Sequence, residues 1–116
     1  HSFPTRRSSD LWTYVDDIVS GVVAALDTDI PFDTFNLGNS SPVQLRDFIS
    51  LLEQVTDLEA IIDAKPLPAA DPPITYANVE KARRLLGFEP KTSLEQGLTH
   101  FWRWYQAEVL NGQAAP

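Results

Sequence analysis

The sequence contains no Cys and no Met among its 116 residues. Without Cys the chain can form no disulfide, bind no metal through thiolates and use no Cys nucleophile. The absence of Cys also fits a cytoplasmic protein, because disulfides are characteristic of oxidising compartments. Since the chain has no Met and starts at His1, we expect it to be a piece of a longer protein.

Basic residues are also scarce. Nine Lys and Arg stand against 16 Asp and Glu, which gives a formal net charge of −7. Nucleic-acid binding needs clustered positive charge, so this balance argues against a nucleic-acid partner. No apolar run approaches the roughly 20 residues that cross a membrane, and we expect no membrane partner. His1 and His100 form no recognisable ligand spacing with the carboxylates, so no metal site is expected.

The most strongly patterned stretch is residues 12–39. Its apolar residues recur at helical spacing, which predicts a helix with one buried face. They are Val15, Ile18, Val19, Val22, Val23 and Leu26. Asp16 is expected to cap the start of this helix, which should stop before Pro31. The alternation of Phe32, Phe35 and Leu37 with polar residues then predicts a strand.

A second helix and a second strand are predicted next. Ser41 is expected to cap the helix, with Pro42 at its first position, and the helix should end near residues 56–57. Its apolar stripe consists of Leu45, Phe48, Ile49, Leu52 and Val55. Residues 60–67 then read as a strand that is weakened at its end by proline.

Two helices close the patterned part of the chain. Asn78 is expected to cap a short helix over residues 79–86, which ends at Gly87 in the left-handed conformation. A capping box from Thr92 to Glu95 is expected to start the last helix. The order of helices and strands predicts α/β or α+β packing, in which short strands complete a sheet of a larger protein.

Three motifs occur in order along the chain: TYVDDIVSGVVAAL, FNLGNSSPVQLRDFI and GFEPKTSLEQGL. Together they resemble the C-terminal part of an extended short-chain dehydrogenase/reductase (SDR) of the NAD-dependent epimerase/dehydratase family. The resemblance is strongest to the UDP-glucuronate 4-epimerases and runs from about residue 12 to about residue 110. It implies an α/β fold: the C-terminal fragment of an extended Rossmann-type SDR, mainly helices with a few short strands, forming a substrate-binding region.

This resemblance divides the chain into three parts. Residues 12–110 correspond to the C-terminal substrate-binding region, and residues 111–116 form a polar tail. Residues 1–11 show neither helical nor strand periodicity, so we expect a non-native or disordered leader; a native but divergent loop is the alternative. The family places Arg-Asp just before the aromatic-Thr-Tyr run, where this chain has Asp10 and Leu11. The family's Arg contact to the sugar-nucleotide phosphates therefore has no counterpart here.

Residues 66–73 are rich in proline and read as an extended connector. Taken by themselves, they indicate no more than that. In the family, a Gly-Asp pair in this loop lies beside the nucleotide, and this chain has Ala70 and Asp71 at the two positions. The resemblance therefore implies that Asp71 is a substrate-binding residue, whose carboxylate can accept hydrogen bonds from two ribose hydroxyls of a UDP-sugar.

The motifs that carry the family's chemistry are absent. No Gly-rich turn follows a strand, so no cofactor-binding residue is assigned. The family's Tyr-x-x-x-Lys is missing as well, because no Tyr of this chain has a Lys four residues later. The adjacent Asp16 and Asp17 fit helix capping better than acid/base catalysis. No catalytic residue is therefore assigned.

These observations lead to one interpretation and one alternative. The interpretation is a fragment of an NAD-dependent nucleotide-sugar epimerase, inactive alone, which contributes to UDP-sugar binding and packs on a Rossmann core outside the chain. The resemblance implies that NAD and the catalytic residues belong to the rest of a homodimeric, cytoplasmic parent enzyme. The alternative is a small, self-contained, non-catalytic binding or interaction domain. An exposed apolar patch would favour the fragment, and a fold without one would favour the independent domain.

Overall fold

The computed structural model describes residues 9–66, 68–70, 74 and 77–112. A short antiparallel ladder joins strand β1 (Ser9–Asp10) to strand β2 (Val43–Gln44). Helices make up most of the remaining regular structure: α1 (Val15–Leu26), α2 (Leu45–Thr56), α3 (Glu80–Leu86) and α4 (Leu94–Trp104). A π-helical segment, Tyr105–Leu110, continues α4. The predicted fold of mainly helices with few short strands is confirmed.

The apolar core lies between α2 and α4. Leu45, Phe48 and Ile49 of α2 meet Leu98 of α4, and each of the four is 9% exposed or less. The ring of Trp12 stacks on that of Phe48, with 4.0 Å between centroids and 16° between planes. Each apolar side chain of this size contributes about 1.5–3 kcal/mol when fully buried. The apolar stripe predicted for α2 is thus turned inward, as expected.

Helix α1, in contrast, exposes its apolar face. The apolar residues at its outer face, each between 49% and 79% exposed, are Val15, Val19, Val22, Val23 and Leu26. The buried residues of α1 are Asp17 and Gly21, which lie one turn apart on the opposite face. A β-carbon on Gly21 would lie 2.7 Å from Leu37 Cδ1 and 3.0 Å from Phe88 Cδ2. The helix is where the sequence predicts it, but this chain does not bury its apolar face.

The short helix α3 ends as predicted. Gly87 takes φ 66°, in the left-handed region, and its N–H donates to Arg83 O at 3.0 Å. At the start of α3, Asn78 Oδ1 accepts a hydrogen bond from Glu80 N–H at 3.1 Å. Because the helix begins one residue later than expected, Val79 and not Asn78 occupies the N-cap position, and Asn78 bonds to the first turn from the residue before it.

The caps predicted for α2 and α4 are assigned to the wrong residues. Ser41 does not start α2, because residues 43–44 are extended and pair with β1, and the helix begins only after Gln44. The capping box of α4 lies one residue beyond the predicted one: Ser93 Oγ accepts from Gln96 N–H at 3.1 Å. In return, Gln96 Oε1 accepts from Ser93 N–H at 3.0 Å.

Neither predicted strand forms. Residues 32–37 and 60–66 have no regular secondary structure, while residue 67 lies outside the described residues. A strand needs a hydrogen-bonded neighbour, and the described part of the chain offers none to either segment. Conversely, β1 uses Ser9 and Asp10, which the sequence assigns to the leader. Where the native domain begins stays a prediction.

The molecule is flat. Its principal extents are 47 × 44 × 21 Å, and its radius of gyration is 17.1 Å. A compact domain of this length has a radius of gyration of about 13 Å. The chain therefore forms a layer with two broad surfaces.

Candidate substrate-side region

Asp71, the substrate-binding residue predicted from the sequence, lies outside the described residues. Its contact with a UDP-sugar therefore stays a prediction. The described residues nearest to it on either side, Ala70 and Ile74, are exposed. The chain continues at Ala77, which packs beside Gly38.

Three segments meet where the chain returns from the Asp71 loop. A β-carbon on Gly38 would lie 3.1 Å from Leu11 Cδ2 and 3.5 Å from both Ala77 Cβ and Thr13 Oγ1. Thr13 Oγ1 also accepts a hydrogen bond from Asn39 N–H at 3.0 Å. We call residues 11–13, 38–39 and 77 the loop junction. Because Gly38 is buried and has no side chain, these segments can approach one another closely, and Ala77 lies beside Gly38.

A polar cavity of about 400 Å³ lies beside α3 and contains Lys81 and Arg84, two members of a basic cluster formed by Lys81, Arg83 and Arg84. It is lined by Asn36, Asn78, Glu80, Lys81 and Arg84. Lys81 Nζ forms an ion pair with Asp33 and donates a hydrogen bond to Thr34 O at 2.9 Å. The same ammonium lies 5.1 Å from the ring centroid of Phe35. Lys81 thus ties residues 33–35 to α3.

Ion pairing neutralises most of this basic cluster. The hydrogen bond from Lys81, and then that from Thr34 N–H, hold the pKa of Asp33 below its usual value. Arg83 pairs with Glu80 at 2.7 Å, which lowers the pKa of Glu80 and raises that of Arg83. Arg84 forms no hydrogen bond or ion pair with a described residue. One unpaired, exposed cation makes a weak phosphate site, so the cluster is explained by the helix dipole and local pairing.

The side chain of Asp17 makes two hydrogen bonds to a distant part of the chain. Its Oδ1 accepts from Lys91 N–H at 3.1 Å, and its Oδ2 accepts from Thr92 N–H at 3.0 Å. Asp17 is 6% exposed and is the buried charged residue of the described part of the chain. The expected capping role of Asp16 and Asp17 is wrong, because Tyr14 occupies the N-cap position of α1 and no side chain bonds there.

Sequence reasoning missed the role of Asp17 for an identifiable reason. Asp17 lies opposite the apolar stripe of α1, which normally means a solvated face. Its partners are 74 and 75 positions away along the chain. The local pattern holds no signal for a contact at that separation. A buried carboxylate becomes recognisable only when α1 is seen to turn its apolar face outward.

The described residues do not fit an NAD site. The phosphate-binding turn of such a site joins a strand to a helix through glycines. Here β2 runs directly into α2 without a glycine. The glycines lie inside helices, at the loop junction or after helix ends, at Gly21, Gly38, Gly87, Gly97 and Gly112. No chemistry of the cofactor is therefore assigned to these residues.

The same described residues form neither a metal site nor a membrane-spanning helix. Within the described ranges, no three His, Asp or Glu side chains come together as metal ligands would. No helix among those residues is long and apolar enough to span a bilayer.

Comparison with known proteins gives matches along most of the chain. No family model matches the sequence. UDP-glucuronate 4-epimerase 2 of Arabidopsis thaliana is 40% identical over 115 residues, which cover 87% of this chain and 26% of that protein. The crystal structure of a UDP-glucuronic acid 4-epimerase from Bacillus cereus, with UDP-glucuronic acid and NAD, superposes with a TM-score of 0.80. It is 30% identical, and the match covers 91% of this chain and 34% of the other.

A third match comes from a UDP-glucose 4-epimerase of Thermotoga maritima, whose structure contains UDP-glucose. The TM-score is 0.83 at 27% identity, over 94% of this chain and 35% of that one. The chain spans about a quarter to a third of the length of the proteins that it matches.

The fold is similar to part of an SDR-type epimerase, and the match over part of each relative is consistent with a C-terminal fragment of an extended SDR. More particularly, the relatives in sequence are UDP-glucuronate 4-epimerases, and the structural neighbours include UDP-glucuronic acid 4-epimerases that contain NAD. The family resemblance predicted from the three sequence motifs is confirmed.

Proposed function

We propose that this chain is the C-terminal part of an NAD-dependent nucleotide-sugar epimerase that inverts C4 of UDP-glucuronate. In this proposal the chain contributes to UDP-sugar binding and packs on a Rossmann core supplied by the rest of the parent enzyme. In this proposal the catalytic residues and the NAD site belong to that core, because the sequence of this chain contains neither the family's Tyr-x-x-x-Lys nor a Gly-rich turn after a strand. The chain is then inactive alone.

The observation that carries the proposal is the outward apolar face of α1. Val15, Val19, Val22 and Leu26 follow one another along a single helix face, and each is 49% exposed or more. Monomeric proteins seldom leave such a continuous apolar surface in water, and a surface of this kind marks a missing partner. The relatives are about three to four times longer than the match, so each has ample additional chain to cover the face. An independent domain would instead turn these residues inward.

The substrate side of the proposal rests on the loop junction. The junction brings Ala77, the first described residue after Ile74, against Gly38. The Bacillus cereus neighbour contains UDP-glucuronic acid and the Thermotoga maritima neighbour contains UDP-glucose. These ligands support a UDP-sugar as the partner of the parent enzyme, with Asp71 as a contact to the ribose. The proposal also includes a homodimeric parent enzyme. It places this enzyme in the cytoplasm, and the absence of Cys supports that location.

The decisive test is activity of the full-length protein from the same gene. We expect the purified enzyme with NAD to interconvert UDP-glucuronate and its C4 epimer, as followed by nuclear magnetic resonance of the anomeric protons. The 116-residue chain alone should show no conversion. A full-length protein that binds UDP-glucuronate without converting it would overturn the catalytic part of the proposal.

The docking face has its own test on the isolated chain. We expect the wild type to enhance the fluorescence of a hydrophobic dye or to self-associate in analytical ultracentrifugation, because the outer face of α1 is uncovered. A monomer that binds no dye would favour the small, self-contained binding domain.

Asp71 is tested by calorimetric titration in the full-length enzyme. Asp71→Ala should weaken UDP binding by about 1–3 kcal/mol, the scale for loss of a charge-assisted hydrogen bond, and leave NAD affinity unchanged. Asp63→Ala is the matched control, since Asp63 is an exposed acid before the same loop and pairs only at the surface with Lys65. Unchanged UDP affinity in Asp71→Ala would remove Asp71 from the site. Equal loss of both ligands would indicate a folding defect.

A further inference from the structure

We propose that Asp17 is a positioning residue for sugar-nucleotide binding: its buried carboxylate fixes the segment between the loop junction and α4 to α1. This inference rests on the proposed function, in which α1 docks on the Rossmann core and the Asp71 loop contacts the UDP-sugar. Asp17 itself touches no ligand in this proposal. It acts by holding other residues at a defined distance from the docked helix.

The first part of the argument is the completeness of the contact. Both carboxylate oxygens of Asp17 accept a backbone N–H, one from Lys91 and one from Thr92, at 3.1 and 3.0 Å. Hydrogen bonds from N–H groups to a carboxylate are stronger than those between neutral groups. Two acceptors on one rigid group also fix the orientation of the two peptide units, which a single bond would not. Asp17 therefore sets both the distance and the direction of the chain at residues 91–92.

The second part of the argument is what that segment carries. Residues 77–92 begin at the loop junction, where Ala77 packs on Gly38, and then form α3. Phe88, 3% exposed, packs against α1 at Gly21. Asp17 holds the last two residues of the segment. Thus α1 holds the far end of the segment twice, at Gly21 and at Asp17, while Gly38 holds the near end.

The third part concerns the start of α4. Thr92, Ser93 and Leu94 form one wall of a cavity of about 360 Å³, and residues 12–15 contribute to its lining as well. Asp17 is two residues beyond residues 12–15, the second wall. Its bonds to residues 91–92 therefore hold the two walls of the cavity at a fixed distance from each other. Release of residues 91–92 would let the start of α4 move relative to α1. The α2–α4 core would then no longer follow α1 rigidly when α1 docks.

Asp16 provides a control that the chain itself supplies. It lies next to Asp17, carries the same charge and is exposed, and no hydrogen bond of its side chain is seen in the described structure. Any effect of Asp17→Asn that arises from net charge or from the helix dipole should also occur in Asp16→Asn. An effect confined to Asp17→Asn must come from the buried contact.

The first experiment measures amide hydrogen exchange in the 116-residue chain. In Asp17→Asn one carboxylate oxygen becomes an NH₂ group, which cannot accept, so exchange at the Lys91 or Thr92 amide should accelerate by about tenfold or more. Amides of the α2 core such as Ile49 should stay within about twofold of wild type, as should every amide in Asp16→Asn. Acceleration across α2 as well would show that Asp17 maintains the whole fold, and would overturn a positioning role.

The second experiment measures kinetics in the full-length enzyme. Asp17→Asn should raise KM for the sugar nucleotide by about three- to tenfold while kcat stays within about twofold, because the variant loosens the packing of residues 77–92 on α1 and Asp17 touches no reacting group. Asp16→Asn should match wild type in both constants. A fall in kcat at unchanged KM, or identical behaviour of the two variants, would overturn the proposal. Failure of the proposed function itself looks different, because wild type would then show no epimerase activity at all.

Discussion

Helices α1 and α2 have the same kind of sequence pattern, but α2 buries its apolar face and α1 exposes its own. In α2, the apolar stripe faces α4, and Phe48 and Ile49 are 9% and 5% exposed. In α1, the apolar stripe faces outward, and the buried positions are Asp17 and Gly21. Periodicity shows that a helix has two faces, but it does not show which face the chain itself covers. The difference indicates that α2 is stabilised within this chain, whereas the apolar face of α1 is left exposed and, under the proposed function, is covered by the Rossmann core.

The largest expected effect tests the α2 side of this comparison. Phe48→Ala should destabilise the chain by about 3–5 kcal/mol, because it removes a buried ring that stacks on Trp12. Phe32→Ala is the matched control, since Phe32 is 89% exposed and its loss should cost less than about 0.5 kcal/mol. Urea unfolding followed by Trp fluorescence measures both. Equal losses in the two variants would contradict the assignment of the core to α2 and α4.

A smaller effect is expected on the inner face of α1. Gly21→Val should cost about 1–3 kcal/mol, because the new side chain would overlap Leu37 and Phe88. Gly21→Ala should cost less, since the atoms closest to its β-carbon are the mobile ends of those side chains. The opposing gain in helix propensity from Gly to Ala is about 0.5–1 kcal/mol. If thermal unfolding shows that Gly21→Val is more stable than wild type, then Gly21 is not closely packed.

The outer face of α1 should behave as a surface in the isolated chain. Val19→Ser and Val22→Ser should each change stability by no more than about 0.5 kcal/mol, yet together they should reduce dye binding and self-association. In the full-length enzyme the same pair should destabilise the protein by about 1 kcal/mol or more per residue, because both positions are then buried. Unfolding measurements on chain and enzyme sharpen the comparison. A large loss in the isolated chain would mean that this face is already covered within the chain.

The smallest expected effect is a pH dependence at the surface. The hydrogen bonds to Asp33 from Lys81 and Thr34 N–H lower its pKa in the folded state. A lowered pKa means that the contact stabilises the fold above the pKa of the unfolded state and loses this contribution as pH falls through the folded value. In Lys81→Gln the pKa of Asp33 should move up toward the ordinary value. Nuclear magnetic resonance titration of the Asp33 carboxyl carbon tests this, and an unchanged midpoint would show that Lys81 is not its main partner.

Local signals in the sequence account for what could be predicted. Helical spacing located α1 and α2, and Gly87 marked the end of α3, because these features depend on residues that are neighbours along the chain. The two predicted strands did not form, because a strand requires a partner that local pattern cannot supply. Asp17 was misread for the same reason, since Lys91 and Thr92 lie 74 and 75 positions away. The motif order identified the family, which periodicity alone could not do.

The outward position of the apolar face of α1 also limits how its sequence can vary. Under the proposed docking, Gly21 is limited by Leu37 and Phe88 on one side, and Val19 and Val22 are limited by the Rossmann core on the other. Solvent exposure in this chain is then no guide to substitution tolerance along α1. Among relatives, the half-exposed α1 should vary less than the outer face of α2, where Arg46 and Asp47 are exposed. A helix that packs against other residues on both faces has few positions at which substitutions are tolerated.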